Sequence, residues 1–127
     1  MDYVNLIVLL ALAEYIFFIM LVGATRGKYN VAAPATTGDK QWERYYRIQV
    51  NTTEQLILFL PALYAFATYV SPTWAFWLGL VFLAGRVVYF IGYSKAGKNR
   101  MPGSLMSSFP SYIMAIGALI VLVLRLV

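Results

Sequence analysis

The chain has 127 residues, of which 61% are hydrophobic and 12% charged, with a net charge of +5. A soluble domain runs to roughly 25% charged residues, and one this short lacks the volume to bury so much apolar surface. The composition therefore sets the class: an integral membrane protein of one domain, all-α, since apolar segments of this length cross lipid as helices. There is no cysteine and no histidine. That excludes disulfides and every Ser-His-Asp or Cys-His mechanism, and it leaves zinc or haem without their ordinary ligands. Proton chemistry falls to Arg, Lys, Tyr, Asp or Glu.

Four apolar segments follow in chain order, at about 3–25, 42–70, 73–94 and 105–127, each near the ~20 residues that cross a bilayer core. The first carries Glu14 in its middle. Asp2, with no Lys or Arg before the apolar run, argues against a secretory leader. The loop 26–41, RGKYNVAAPATTGDKQ, has Gly, Pro and Thr punctuation. Pro61 interrupts the second segment and predicts a kink. Ser71-Pro72 reads as a tight turn, and KAGKNRMPGS at 95–104 as the third loop. On the fourth segment Ser107, Ser111 and Ala115 recur every fourth residue, and Gly23 and Gly27 bracket the end of the first. Small residues at such spacing predict close helix approach in lipid.

The basic residues lie in and beside two loops: Arg26, Lys28, Lys40, Arg44 and Arg47 at the first, Lys95, Lys98 and Arg100 at the third. The positive-inside rule then places those loops in the cytoplasm. It also accounts for the positive charge without nucleic acid. A bacterial inner membrane and the endoplasmic reticulum both suit this topology.

The second segment opens with ERYYRIQVNTTE at 43–54. On a helix Arg44, Arg47, Asn51 and Glu54 share one face, within an arc of roughly 80°. Gln55 lies near its edge, and Gln49 points about 160° away from Arg47. On the third segment Arg86, Tyr89 and Tyr93 step by three and four on one face. Arg44 and Arg47 as interfacial anchors, with Tyr89 and Tyr93 as an aromatic belt, are the plain alternative. Glu54 and Arg86 demand more, because a charge in hydrocarbon costs at least ~2.5 kcal/mol. A Glu54–Arg86 or Glu14–Arg86 ion pair would meet that demand; so would a binding site. The stripe offers guanidinium for carboxylates, amides for amides, a carboxylate for an ammonium and phenols for an anion. This inventory suits a small zwitterionic peptide with more than one carboxylate.

ERYYRIQVNTTEQ, GRVVYFIGY followed by Arg100, and APATTG in the first loop resemble the motifs of the MAPEG family, the membrane-associated proteins in eicosanoid and glutathione metabolism. The resemblance covers nearly the whole chain, including its length and four-helix order. It is nearest the branch of microsomal glutathione transferases, leukotriene C synthase and the lipoxygenase-activating protein. It implies a four-transmembrane-helix bundle assembled as a homotrimer, with glutathione held between subunits as co-substrate and no metal. It implies that Arg47, Asn51, Glu54, Tyr89 and Tyr93 bind glutathione in one subunit, that Arg26 and Gln49 reach in from a neighbour, and that Arg100 stabilises the thiolate. The lipid side then supplies a lipophilic electrophile or a lipid hydroperoxide.

Two positions depart from the family pattern. Gln55 stands where leukotriene C synthase has tyrosine, and Gly27 where it has a second arginine, which argues against leukotriene synthesis itself. Glutathione conjugation, with or without peroxide reduction, is the reading the motifs favour. A non-catalytic lipid-binding scaffold and a small transporter or assembly subunit stay open.

Overall fold

The computed structural model describes residues 1–96 and 100–127. It contains four helices: α1 (Asp2–Ala24), α2 (Lys40–Tyr69), α3 (Pro72–Ala96) and α4 (Arg100–Leu126). Three of them, α1, α3 and α4, are long and apolar enough to cross a membrane, with mean hydropathy of 2.6, 1.8 and 2.0 in their most apolar stretches. The fourth, α2, is 30 residues long, but its first half carries the polar stripe.

Local chemistry sets the helix ends. Asp39 caps α2, its Oδ1 accepting from the amides of Gln41 at 2.8 Å and Trp42 at 3.0 Å; such a cap contributes about 1 kcal/mol. Between α2 and α3 the chain turns in two residues, Val70 and Ser71. The Ser71 hydroxyl accepts from the Trp74 amide at 3.3 Å, and Pro72 opens α3 where its missing N–H costs nothing. α2 runs unbroken through Pro61. α4 begins at Arg100 rather than near residue 105. Its opening Arg-Met-Pro-Gly-Ser reads as loop on composition, yet proline is tolerated in a first turn.

α2 and α3 touch every other helix, while α1 and α4 lie on opposite sides of that pair and do not meet among the described residues. The core joins Val4, Ile7 and Ala11 of α1, Leu56, Phe59 and Leu63 of α2, Phe82 of α3 and Met114 of α4. Phe59 stacks on Phe82 with ring centroids 3.8 Å apart. The closest backbone approach is between α3 and α4. A Cβ at Gly85 would lie 2.6 Å from the Ser107 amide nitrogen, and one at Gly103 would collide with the Tyr89 backbone. Ser107 and Ser111 are fully buried at this seam. Gly23 and Gly27 each face open space in the single chain.

The loop after α1 is tied down by Arg26. Its guanidinium donates to the carbonyls of Val31 at 3.3 Å and Ala35 at 2.8 Å and lies 4.6 Å from the Trp42 ring centre. Trp42 is buried and donates from Nε1 to the Val22 carbonyl at 3.0 Å. The loop is thereby folded back over the start of α2.

Candidate functional site

Five of the residues singled out from the sequence line one cleft of about 400 Å³: Arg47, Asn51 and Glu54 from α2, Tyr89 and Tyr93 from α3. That volume lies within the usual range for small-molecule sites. The α2 residues reach it by helical spacing, and the two tyrosines by a step of four on α3. Tyr89 and Tyr93 are 4% and 7% exposed, with ring centres 5.5 Å apart. They pack with Phe18 and Ile48, which fixes one wall. Arg47 and Glu54 are exposed and Asn51 is half-buried, so the charges stand at the open side.

The cleft also contains residues that sequence reasoning passed over: Thr36 and Thr37 from the tied loop, and Glu43, Tyr46 and Val50 from α2. Glu43, Arg47, Val50 and Glu54 step by four, three and four, so periodicity alone had the signal. Arg44, by contrast, is turned aside. It donates to the Gln41 side chain at 3.0 Å and does not line the cleft. The polar face is therefore rotated toward Glu43 relative to the expected stripe.

The remaining candidates lie elsewhere. Arg26 borders a separate depression with Gly27 and Asn30, held by its own loop. Gln49 is partly buried and is not among the cleft residues. Arg100 is the first residue of α4; its side chain lies outside the described residues. Gln55 turns to α4, donating to the Ser108 hydroxyl at 3.2 Å.

Neither expected ion pair with Arg86 forms among the described residues. Arg86 is fully buried, and it is satisfied by neutral oxygens of Asn51, Thr52 and Ser107. Hydroxyls and an amide on two neighbouring helices supply what one carboxylate was expected to supply. Glu14 forms no hydrogen bond or ion pair with Arg86, and its Oε1 is buried without a hydrogen bond. Glu14 borders a second cleft, of about 460 Å³, whose other walls are apolar side chains of α1 and α3.

Chemically the first cleft presents a guanidinium, carboxylates, an amide and phenols within one volume. Charged donors and acceptors on successive turns of α2 suit a ligand bearing both carboxylate and ammonium groups. The apolar faces of α1, α3 and α4 lie on the same small bundle.

A sequence profile of the MAPEG family matches residues 4–121. An uncharacterised protein of Synechocystis sp. is 47% identical over 115 residues, which cover 91% of this chain and 84% of that relative. Microsomal glutathione S-transferase 2 of Homo sapiens is 38% identical over 99 residues, 78% of this chain and 67% of the relative. Leukotriene C4 synthase of Bos taurus is 35% identical over 95 residues, 75% of this chain and 63% of the relative. A profile match over nearly the whole sequence, with relatives this similar across most of its length, makes the chain a member of the MAPEG family.

Proposed function

We propose that this protein is a membrane-bound glutathione transferase that binds glutathione in the α2–α3 cleft, activates it as a thiolate and joins it to lipophilic electrophiles, with glutathione-dependent peroxide reduction as a further activity. The observation that carries this reading is the convergence of Arg47, Asn51, Glu54, Tyr89 and Tyr93 on one cleft in a chain with relatives named for glutathione transfer. In this reading Arg47 takes a carboxylate of the tripeptide, Glu54 its ammonium, and the tyrosines its remaining acceptors. Arg26 and Gln49, which lie off the cleft of their own chain, serve the site of a neighbouring subunit in a homotrimer.

The activating group is Arg100. A free thiol has a pKa of about 8.5 and is mostly protonated at neutral pH, and the thiolate is the nucleophile. An arginine keeps its charge, so it stabilises the anion without exchanging protons. The first turn of α4 runs against the Tyr89 backbone at Gly103, which supports a placement of Arg100 near the cleft's α3 wall. The thiol proton passes to water at the open side of the cleft. The thiolate sulfur then bonds to carbon of an electrophile delivered from the lipid, which gives up a leaving group or opens a strained ring or a polarised double bond, and the enzyme's contribution is to hold the two together. The α1–α2 and α3–α4 connections, with the basic residues beside them, would face the cytoplasm.

The test is ultraviolet difference absorbance in the thiolate band, on detergent-solubilised protein with glutathione, beside Arg100→Ala. A thiolate signal that disappears in the variant is expected. No signal from folded wild-type protein would sink the catalytic reading and leave a lipid-binding scaffold.

A further inference from the structure

Arg86 is the one charged side chain with no exposure among the described residues, and its hydrogen bonds have a direction. Nε and Nη2 donate to the Ser107 hydroxyl at 3.1 and 2.7 Å. Nη1 donates to Asn51 Oδ1 at 2.8 Å and to the Thr52 hydroxyl at 3.2 Å. The guanidinium carbon lies 4.3 Å from the Tyr89 ring centre. On the other side, the Ser107 hydroxyl donates to the Gly103 carbonyl at 2.9 Å. One cation thus connects α4 to both helices that wall the cleft.

A guanidinium has five donors and no acceptor. The atom that Asn51 turns toward it must therefore be oxygen. The amide –NH2 is then directed away from Arg86, on a residue that lines the cleft. The opposite amide orientation would set two donors face to face in a water-poor site, where an unmet polar group is most costly. An asparagine free to turn over would present either a donor or an acceptor to a ligand. This one presents a donor.

We propose that Arg86 is a positioning residue that fixes Asn51 as a hydrogen-bond donor toward the cleft, so that this point of the site accepts a carboxylate or peptide carbonyl of the bound tripeptide and rejects a ligand donor. The inference rests on the glutathione reading above and adds a residue that acts on the ligand through another. Lysine in place of Arg86 keeps the charge but, as a point charge, cannot hold Ser107 and Asn51 in the same planar geometry.

Isothermal titration with glutathione, on detergent-solubilised protein, tests this with Arg86→Lys, Asn51→Ala, the double variant and Asn51→Asp, each checked by thermal unfolding. Arg86→Lys and Asn51→Ala are each expected to weaken binding about tenfold, the value of one buried hydrogen bond. The double variant should bind no more weakly than Asn51→Ala alone, because Arg86 acts through Asn51. Asn51→Asp keeps an oxygen on Arg86, so it should unfold no earlier than wild type, yet bind as weakly as Asn51→Ala, having no donor to offer. Losses that multiply in the double variant, or an Asn51→Asp protein that binds like wild type, would overturn the inference while leaving the glutathione reading intact. Failure of the wild-type protein to bind glutathione overturns both.

Discussion

Asn51 and Glu54 stand three residues apart on α2 but meet different surroundings. Asn51 is half-buried and bonded to Arg86, whereas Glu54 is exposed on the cleft's open side. Glu54 is therefore the residue whose loss should be felt by the ligand alone. Glu54→Gln removes the charge and keeps the shape. We expect the glutathione KM to rise about tenfold with kcat little changed, the size of one charge-assisted hydrogen bond. Steady-state kinetics at varied glutathione would show it, and an unchanged KM would mean that the ammonium binds elsewhere. The spacing of Arg47, Asn51 and Glu54 made their common face legible in the sequence. The facing partners were not. Periodicity fixes the width of a helix face but not which side of it a neighbour covers, so spacing alone favours Arg44 as a stripe residue where the cleft has Glu43. Arg86 shows the same limit: its burial was legible as a need for partners, but Asn51, Thr52 and Ser107 could not be told from a carboxylate.

Among the elements, the α3–α4 seam is the tightest, with Gly85 lying against the backbone of Met106 and Ser107. A methyl group there has no flexible side chain to displace. Gly85→Ala should cost about 1–3 kcal/mol, the usual cost of overpacking. It should also weaken glutathione binding, since Arg86 and Ser107 flank the point of contact. Thermal unfolding in detergent measures the first effect; an unchanged midpoint would show that the two helices part without cost. The small residues of α4 signalled this seam in advance through Ser107 and Ser111. The early start of α4 did not show, because Pro102 and Gly103 are loop residues by composition and first-turn residues by position.

For the whole molecule the proposal turns on Arg26 and Gln49, which a single chain leaves off the cleft. If a neighbour supplies them, two defective subunits can repair each other. Protein carrying Arg47→Ala and protein carrying Gln49→Ala, co-expressed, should give mixed trimers in which some sites hold a wild-type residue at both positions. We expect conjugation activity above the average of the two parents expressed alone. Activity at that average would place the complete site within one subunit. The number of helices and their order could be read from composition and hydropathy. The assembly could not, because the exposed apolar faces of α1 and α4 look alike whether lipid or another subunit covers them.

The two-residue turn between α2 and α3 also bears on how the chain enters the bilayer during synthesis. By itself α2 is a poor candidate for partitioning, since it brings Arg47, Asn51 and Glu54 with it and falls outside the spans that are apolar enough on their own. α3 follows after only Val70 and Ser71, and it brings Arg86, whose Nη1 is met by Asn51 and Thr52 of α2. α2 thus carries two of the three side chains that satisfy Arg86. The pair is suited to leave the translocation machinery as a hairpin, with one edge of the Arg86 guanidinium already held by α2 and the other left for Ser107 when α4 follows.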